Sequence, residues 1–115
     1  MVVDFPRLKT VHYLFTRSGN NDIGHCLDFD LAVSGKDRAE VEARLDILVK
    51  AHVEICLRTG NYSGLKRTAP DEFWNRFSAG KKIEPDKPFL KIEIPEIVPI
   101  QNVQSQLGVI AAQAV

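Results

Sequence analysis

Apolar and polar residues along the chain change period several times, and each change marks an element. Residues 8–16 alternate, with Val11, Tyr13 and Phe15 opposed to Thr10, His12 and Leu14, which predicts a strand. The stretch 17–22, RSGNND, has turn chemistry, so a hairpin is expected. Residues 23–34 give the cleanest alternation. Ile23, His25, Leu27, Phe29, Leu31 and Val33 are expected on one, packed face, and Gly24, Cys26, Asp28, Asp30, Ala32 and Ser34 on the other. That run is long for one strand, so it should carry a bulge or break in two.

Gly35 ends the alternation, and the period lengthens. Asp37 reads as an N-cap with Glu40 three residues on, and Gly60 as the residue that ends the helix. A helix over 38–59 follows, its inner stripe read as Val41, Leu45, Leu48, His52 and Ile55. The core is expected to gather Leu27, Phe29, Leu31, Leu45, Leu48 and Ile55. Residues 61–69 form a loop. Thr68 is then placed as the cap of a short helix over 69–79 that carries Phe73, Trp74 and Phe77. Residues 80–88 read as a Pro- and Lys-rich linker, and 89–97 as a last strand, at an edge because of Pro95.

The fold class predicted is α+β: a three- to four-stranded, mainly antiparallel sheet with one long helix on one face and a short second helix. Residues 1–97 make the domain. Residues 98–115 lack charge entirely, and Ile100, Val103, Leu107 and Ile110 fall at heptad spacing. They are read as an oligomerisation arm in a dimer or larger assembly, with an extended arm as the alternative. Six polar residues in that tail argue against a membrane span.

Composition narrows the function. The 115 residues carry 15 basic and 15 acidic side chains, which disfavours a general nucleic-acid surface. The charge is uneven, however: residues 21–57 hold eight acids and four bases, and residues 58–91 hold eight bases and four acids. Two complementary surfaces within one fold are the simpler reading, a local basic patch the sharper one. Two cysteines are too few for a disulfide scaffold, and no signal peptide is evident, so a cytoplasmic protein is expected.

The stretch 24–60 contains His25-Cys26, the alternation from Leu27 to Ser34, Gly35, Asp37 and Glu40-Val41-Glu42-Ala43. It resembles the HicB-like family, the antitoxin-type partners of small HicA messenger-RNA interferases. The resemblance implies a partial RNase H fold without the nuclease site, and a protein that works by binding: a HicA-like toxin, and copies of itself. Two features depart from the family pattern. Leu27-Asp28-Phe29-Asp30-Leu31 stands where a Pro-Gly turn is common, and the uncharged residues 98–115, with no basic recognition element, are not expected to form a DNA-binding module.

Other constellations of residues compete with this reading. Asp28 and Asp30, two apart, are the start of a Mg²⁺-dependent nuclease site, though a solvated polar face explains them more simply. His25 and His52 should meet across the core without enough ligands for a metal. Cys26 or Cys56 with His52 is a weak candidate for a nucleophilic pair. Tyr62, Lys66 and Arg67, beside the aromatic patch, are candidate RNA contacts. The expectation is a non-catalytic interaction module with no cofactor and no metal. A nuclease or a small RNA-binding module is the alternative.

Overall fold

The computed structural model describes residues 10–93 and 106–114, together with the backbone of Val3, Asp4, Ile100 and Gln101. Its strands are β1 (Val3–Asp4), β2 (Thr10–Ser18), β3 (Asn21–Cys26), β4 (Leu31–Gly35), β5 (Lys81–Ile83), β6 (Phe89–Lys91), β7 (Ile100–Gln101) and β8 (Gln106–Gln113). The helices are α1 (Arg38–Thr59) and α2 (Asp71–Ala79), with a 3₁₀ turn at Tyr62–Leu65. The main sheet runs β4-β3-β2-β8-β5, and β6 also pairs with β8. β2 and β8 are parallel and the other pairs in this sheet antiparallel, so the sheet is mixed and has six strands rather than three or four. β1 and β7 form a separate two-stranded parallel pair.

The run 23–34 breaks in two. β3 stops at Cys26, residues 27–30 turn, and β4 returns antiparallel. Asp30 takes a positive φ of 55°, a conformation that aspartate tolerates better than most side chains. Leu27–Asp30 thus forms the turn that joins β3 to β4. The break also corrects the expected faces. In β3 it is Gly24 and Cys26 that are buried on the α1 side, while His25 lies against Phe73 of α2. After the turn, Leu31 and Val33 pack on the α1 side.

α1 begins and ends as the sequence predicts. The Asp37 carboxylate accepts from the Glu40 amide at 2.8 Å, and the Glu40 carboxylate reaches back to the Lys36 amide at 3.2 Å. Gly60 closes the helix at φ 73°. The inner stripe is rotated from the one predicted: Val41, Leu45, Val49, Val53 and Cys56 are buried, Leu48 and His52 only half so, and Ile55 is 48% exposed. Apolar residues at 45, 47, 48, 49, 51, 53, 55, 56 and 57 cover more than half the helix, so their spacing fits two neighbouring stripes equally well.

The sheet is covered on both faces. α1 encloses the larger core with Val11, Tyr13, Phe15, Cys26, Phe29, Leu90, Ile92, Leu107, Val109 and Ala111. On the other face Leu14, Leu27 and Ala69 form a second cluster under Phe73, Trp74 and Phe77 of α2. No side chain caps α2; Pro70 stands at its N-cap, and Thr68 instead donates to the Leu27 carbonyl at 3.3 Å and accepts from Trp74 Nε1 at 2.9 Å.

Residues 106–113 are not a helical seam. They form an inner strand between β2 and the β5/β6 edge, with Leu107, Val109, Ala111 and Ala112 buried. An inner strand that turns one face to the core needs aliphatic residues there, and that accounts for Leu107, Val109 and Ala111. The domain therefore extends beyond residue 97. No helix among the described residues is long and apolar enough to cross a membrane.

Candidate binding site

The carboxylates that suggested a metal are spent on histidines. Asp28 accepts from the His12 backbone amide at 2.6 Å and lies 3.1 Å from His12 Nδ1. Asp30 lies 2.7 Å from His25 Nε2. Both acids sit in the 27–30 turn rather than on a strand face, so these contacts tie the turn to β2 and β3. The histidine rings in turn meet α2 edge-on: His12 against Trp74 at 5.2 Å and Phe77 at 5.4 Å, His25 against Phe73 at 4.8 Å. His12, unremarked in the sequence beyond its place in the β2 alternation, is the residue that occupies Asp28. Among the described residues no group of three or more His, Cys, Asp or Glu side chains is placed to hold a metal ion.

His25 and His52 do not meet; they lie on opposite sides of the sheet, one against α2 and one on α1. His52 stacks near Phe29 and lies with Nε2 2.8 Å from the Gly64 carbonyl, 3.8 Å from Cys56 Sγ. A carbonyl only accepts, so Nε2 carries the proton and cannot take one from the thiol. Burial also pushes the Cys56 thiol up, and that of Cys26 up to about 12. Neither cysteine is poised as a nucleophile.

The candidate RNA contacts are divided. Tyr62 is half-buried against the main core, whereas Lys66 and Arg67 are exposed. Phe73, Trp74 and Phe77 are half-buried against the sheet and finish its second cluster. Of the tail residues, Leu107 is enclosed, and Ile110 is 41% exposed beside Ile83 and Pro85. Ile100 belongs to β7, paired with Val3, and Val103 lies outside the described residues.

A different place emerges where α1 meets β6. A groove of about 240 Å³ is lined by Asp46, Ile47 and Lys50 from the helix, by Phe89, Leu90 and Lys91 of β6, and by Lys87 two residues before that strand. Ile47 is 70% and Phe89 62% exposed, the two largest exposures among the described large hydrophobics. Beneath them the chain buries two acids of α1. The Tyr13 hydroxyl donates to Asp46 at 2.8 Å, and the Asp86 amide donates to Glu42. Burial first, then the neighbouring Glu42 and Asp86 charges, pushes the Asp46 carboxyl above the usual aspartate range; the Tyr13 hydrogen bond and Lys87 act against this. The pKa of Tyr13 is raised as well, by burial and by Asp46.

The sequence pointed to the acids, histidines and tail, but not to this groove. Its only trace was a surplus of apolar residues on α1, more than one stripe can bury. No family model, no curated protein and no solved structure matches this chain.

Proposed function

We propose that the chain is a non-catalytic protein-interaction module of HicB-like type, whose partner is a small RNA-targeting toxin. The observation that carries this reading is the α1–β6 groove. Two large apolar side chains stand in solvent beside a preformed slot, on a chain whose other apolar residues are mostly well buried. Contiguous exposed apolar surface with a polar rim is characteristic of binding sites for other proteins.

The order of elements supports the family side of the reading. β2, β3 and β4 pair antiparallel and lead into the long helix α1, the order of elements on which the resemblance rests. The nuclease alternative draws no support from Asp28 and Asp30, because both carboxylates already hold histidines.

Co-expression with a HicA-type interferase tests the proposal. Growth and intact messenger RNA should be restored, and the two proteins should elute as one complex. Toxicity unchanged, with no complex, would refute it. So would Mg²⁺-dependent RNA cleavage by the purified chain that is lost in Asp28→Asn.

A further inference from the structure

Among the described residues, no lysine or arginine of residues 58–91 makes an ion pair. Among the described residues, every ion pair of a lysine or arginine lies within residues 17–54: Arg17–Asp22, Arg38–Glu42, Arg44–Glu40 and Lys50–Glu54. The acidic and basic stretches of the chain are therefore not joined by close ion pairs among the described residues; Arg58 and Lys87 act on Glu54 and Asp46 only at longer range.

Lys87 and Lys91 are two of these unpaired bases, and they stand at the rim of the α1–β6 groove. Lys50, on the helix side, is already held by Glu54 at 2.6 Å. The acid that lines the groove, Asp46, is turned to the Tyr13 hydroxyl. The mouth thus offers an apolar slot between Ile47 and Phe89 and two exposed lysines, Lys87 and Lys91, that no ion pair holds. On the helix the apolar strip continues, because Ala51 and Ile55 follow Ile47 at successive intervals of four.

Lysines on an edge strand also guard a sheet against edge-to-edge aggregation. That explains Lys81 and Lys82 on β5. It does not explain Phe89, whose exposed ring on the neighbouring edge strand works against such a guard.

We infer that the α1–β6 groove docks a segment of a partner protein that places an apolar side chain between Ile47 and Phe89 and sets carboxylates against Lys87 and Lys91. This rests on the interaction reading above and adds the surface and the chemistry of the partner. A second copy of the chain fits less well. A twofold contact sets a patch against itself, and here it brings the lysines of one copy onto those of the other. A carboxylate-bearing partner gains from the same charges, most at low salt.

The test uses the full chain, isotope-labelled, titrated by NMR with a short synthetic peptide of leucines flanked by glutamates, and with its counterpart in which lysines replace the glutamates. The acidic peptide should shift resonances of residues 46–50 and 87–91 and bind more weakly as salt rises. Phe89→Ser, and separately Lys87→Glu with Lys91→Glu, should each weaken it at least about tenfold. These side chains are exposed, so the variants should keep their urea midpoint, which separates lost binding from lost folding. Equal binding of the basic peptide, shifts elsewhere on the domain, or a concentration-dependent doubling of mass that Phe89→Ser reverses would each overturn the inference. An interferase complex that survives both variants would overturn the groove and leave the module reading standing. Peptide binding at the groove without any interferase complex would support the groove and overturn the toxin reading.

Discussion

Replacing Gly24 by alanine probes how closely α1 approaches the sheet. A Cβ built on Gly24 would lie 2.6 Å from Val41 Cγ1 and 3.3 Å from both Leu45 Cδ2 and Phe15 Cε1. Carbon atoms in contact prefer about 3.5–4.0 Å, so the helix or the Val41 side chain must give by about 1 Å. Val41 is itself wedged, since it is also the nearest neighbour of a Cβ at Gly35, at 3.0 Å. Overpacking of this kind costs about 1–3 kcal/mol. Against it, alanine restricts the unfolded chain and recovers about 0.4–1 kcal/mol. The expected net loss is about 1–2 kcal/mol. Val41→Ala alone should cost about 2 kcal/mol in lost burial and cavity. The two changes share one space, so the double variant should be more stable than their sum by about 1 kcal/mol. Urea unfolding of the four proteins, with a common slope, measures this directly. Strict additivity, or a Gly24→Ala variant more stable than the parent, would refute the close approach.

Three further outcomes are expected. Leu45→Ala should cost about 2–5 kcal/mol and Ile55→Ala well under 1 kcal/mol, since Leu45 is fully buried and Ile55 is 48% exposed; equal losses in urea titrations would put the helix in the other phase. Asp46 has a folded pKa raised above its unfolded value of about 3.9, so its contribution to stability is full below that value and is lost as pH rises through the folded one; Asp46→Asn should therefore flatten the decline of the urea midpoint from about pH 4 upward, and identical pH profiles would contradict the assignment. A chain ending before Gln106 should lose cooperative thermal unfolding by circular dichroism, because an inner strand is gone; a sharp transition near the parent's would contradict the strand's central place.

The legible parts of this fold were those fixed by local chemistry. Asp37, Glu40 and Gly60 mark the bounds of α1 because capping and left-handed closure involve only near neighbours in sequence. The hairpin from β2 to β3 was legible for the same reason. What the pattern could not carry was the choice between faces. Alternation through residues 23–34 looks continuous, yet a four-residue turn interrupts it, so Gly24 and Cys26 face inward where His25 was expected. On α1 the excess of apolar residues leaves the phase open until the sheet selects the valine stripe. Asp28 and Asp30 were legible as a pair, but their partners His12 and His25 come from two different strands, and no spacing reveals that.

The tail shows how one physical signal supports two structures. An aliphatic stretch without charge must be covered by something, and a neighbouring subunit or the chain's own sheet satisfies that equally. The sheet takes up residues 106–113 here, with a consequence for the groove. β6 is only three residues long, and the strand it pairs with is β8, through Phe89↔Gly108, Leu90↔Leu107 and Lys91↔Gln106. The preceding Pro88 carbonyl is held by the Val109 amide at 2.9 Å. Phe89 and Lys91, one side of the groove, are thus positioned by residues 106–109, while Ile47 and Lys50 on the other side are positioned by α1. Residues 106–109, part of the stretch read as an arm for assembly, thus serve the proposed recognition indirectly, as the strand that holds the strand-side half of the groove in register with the helix.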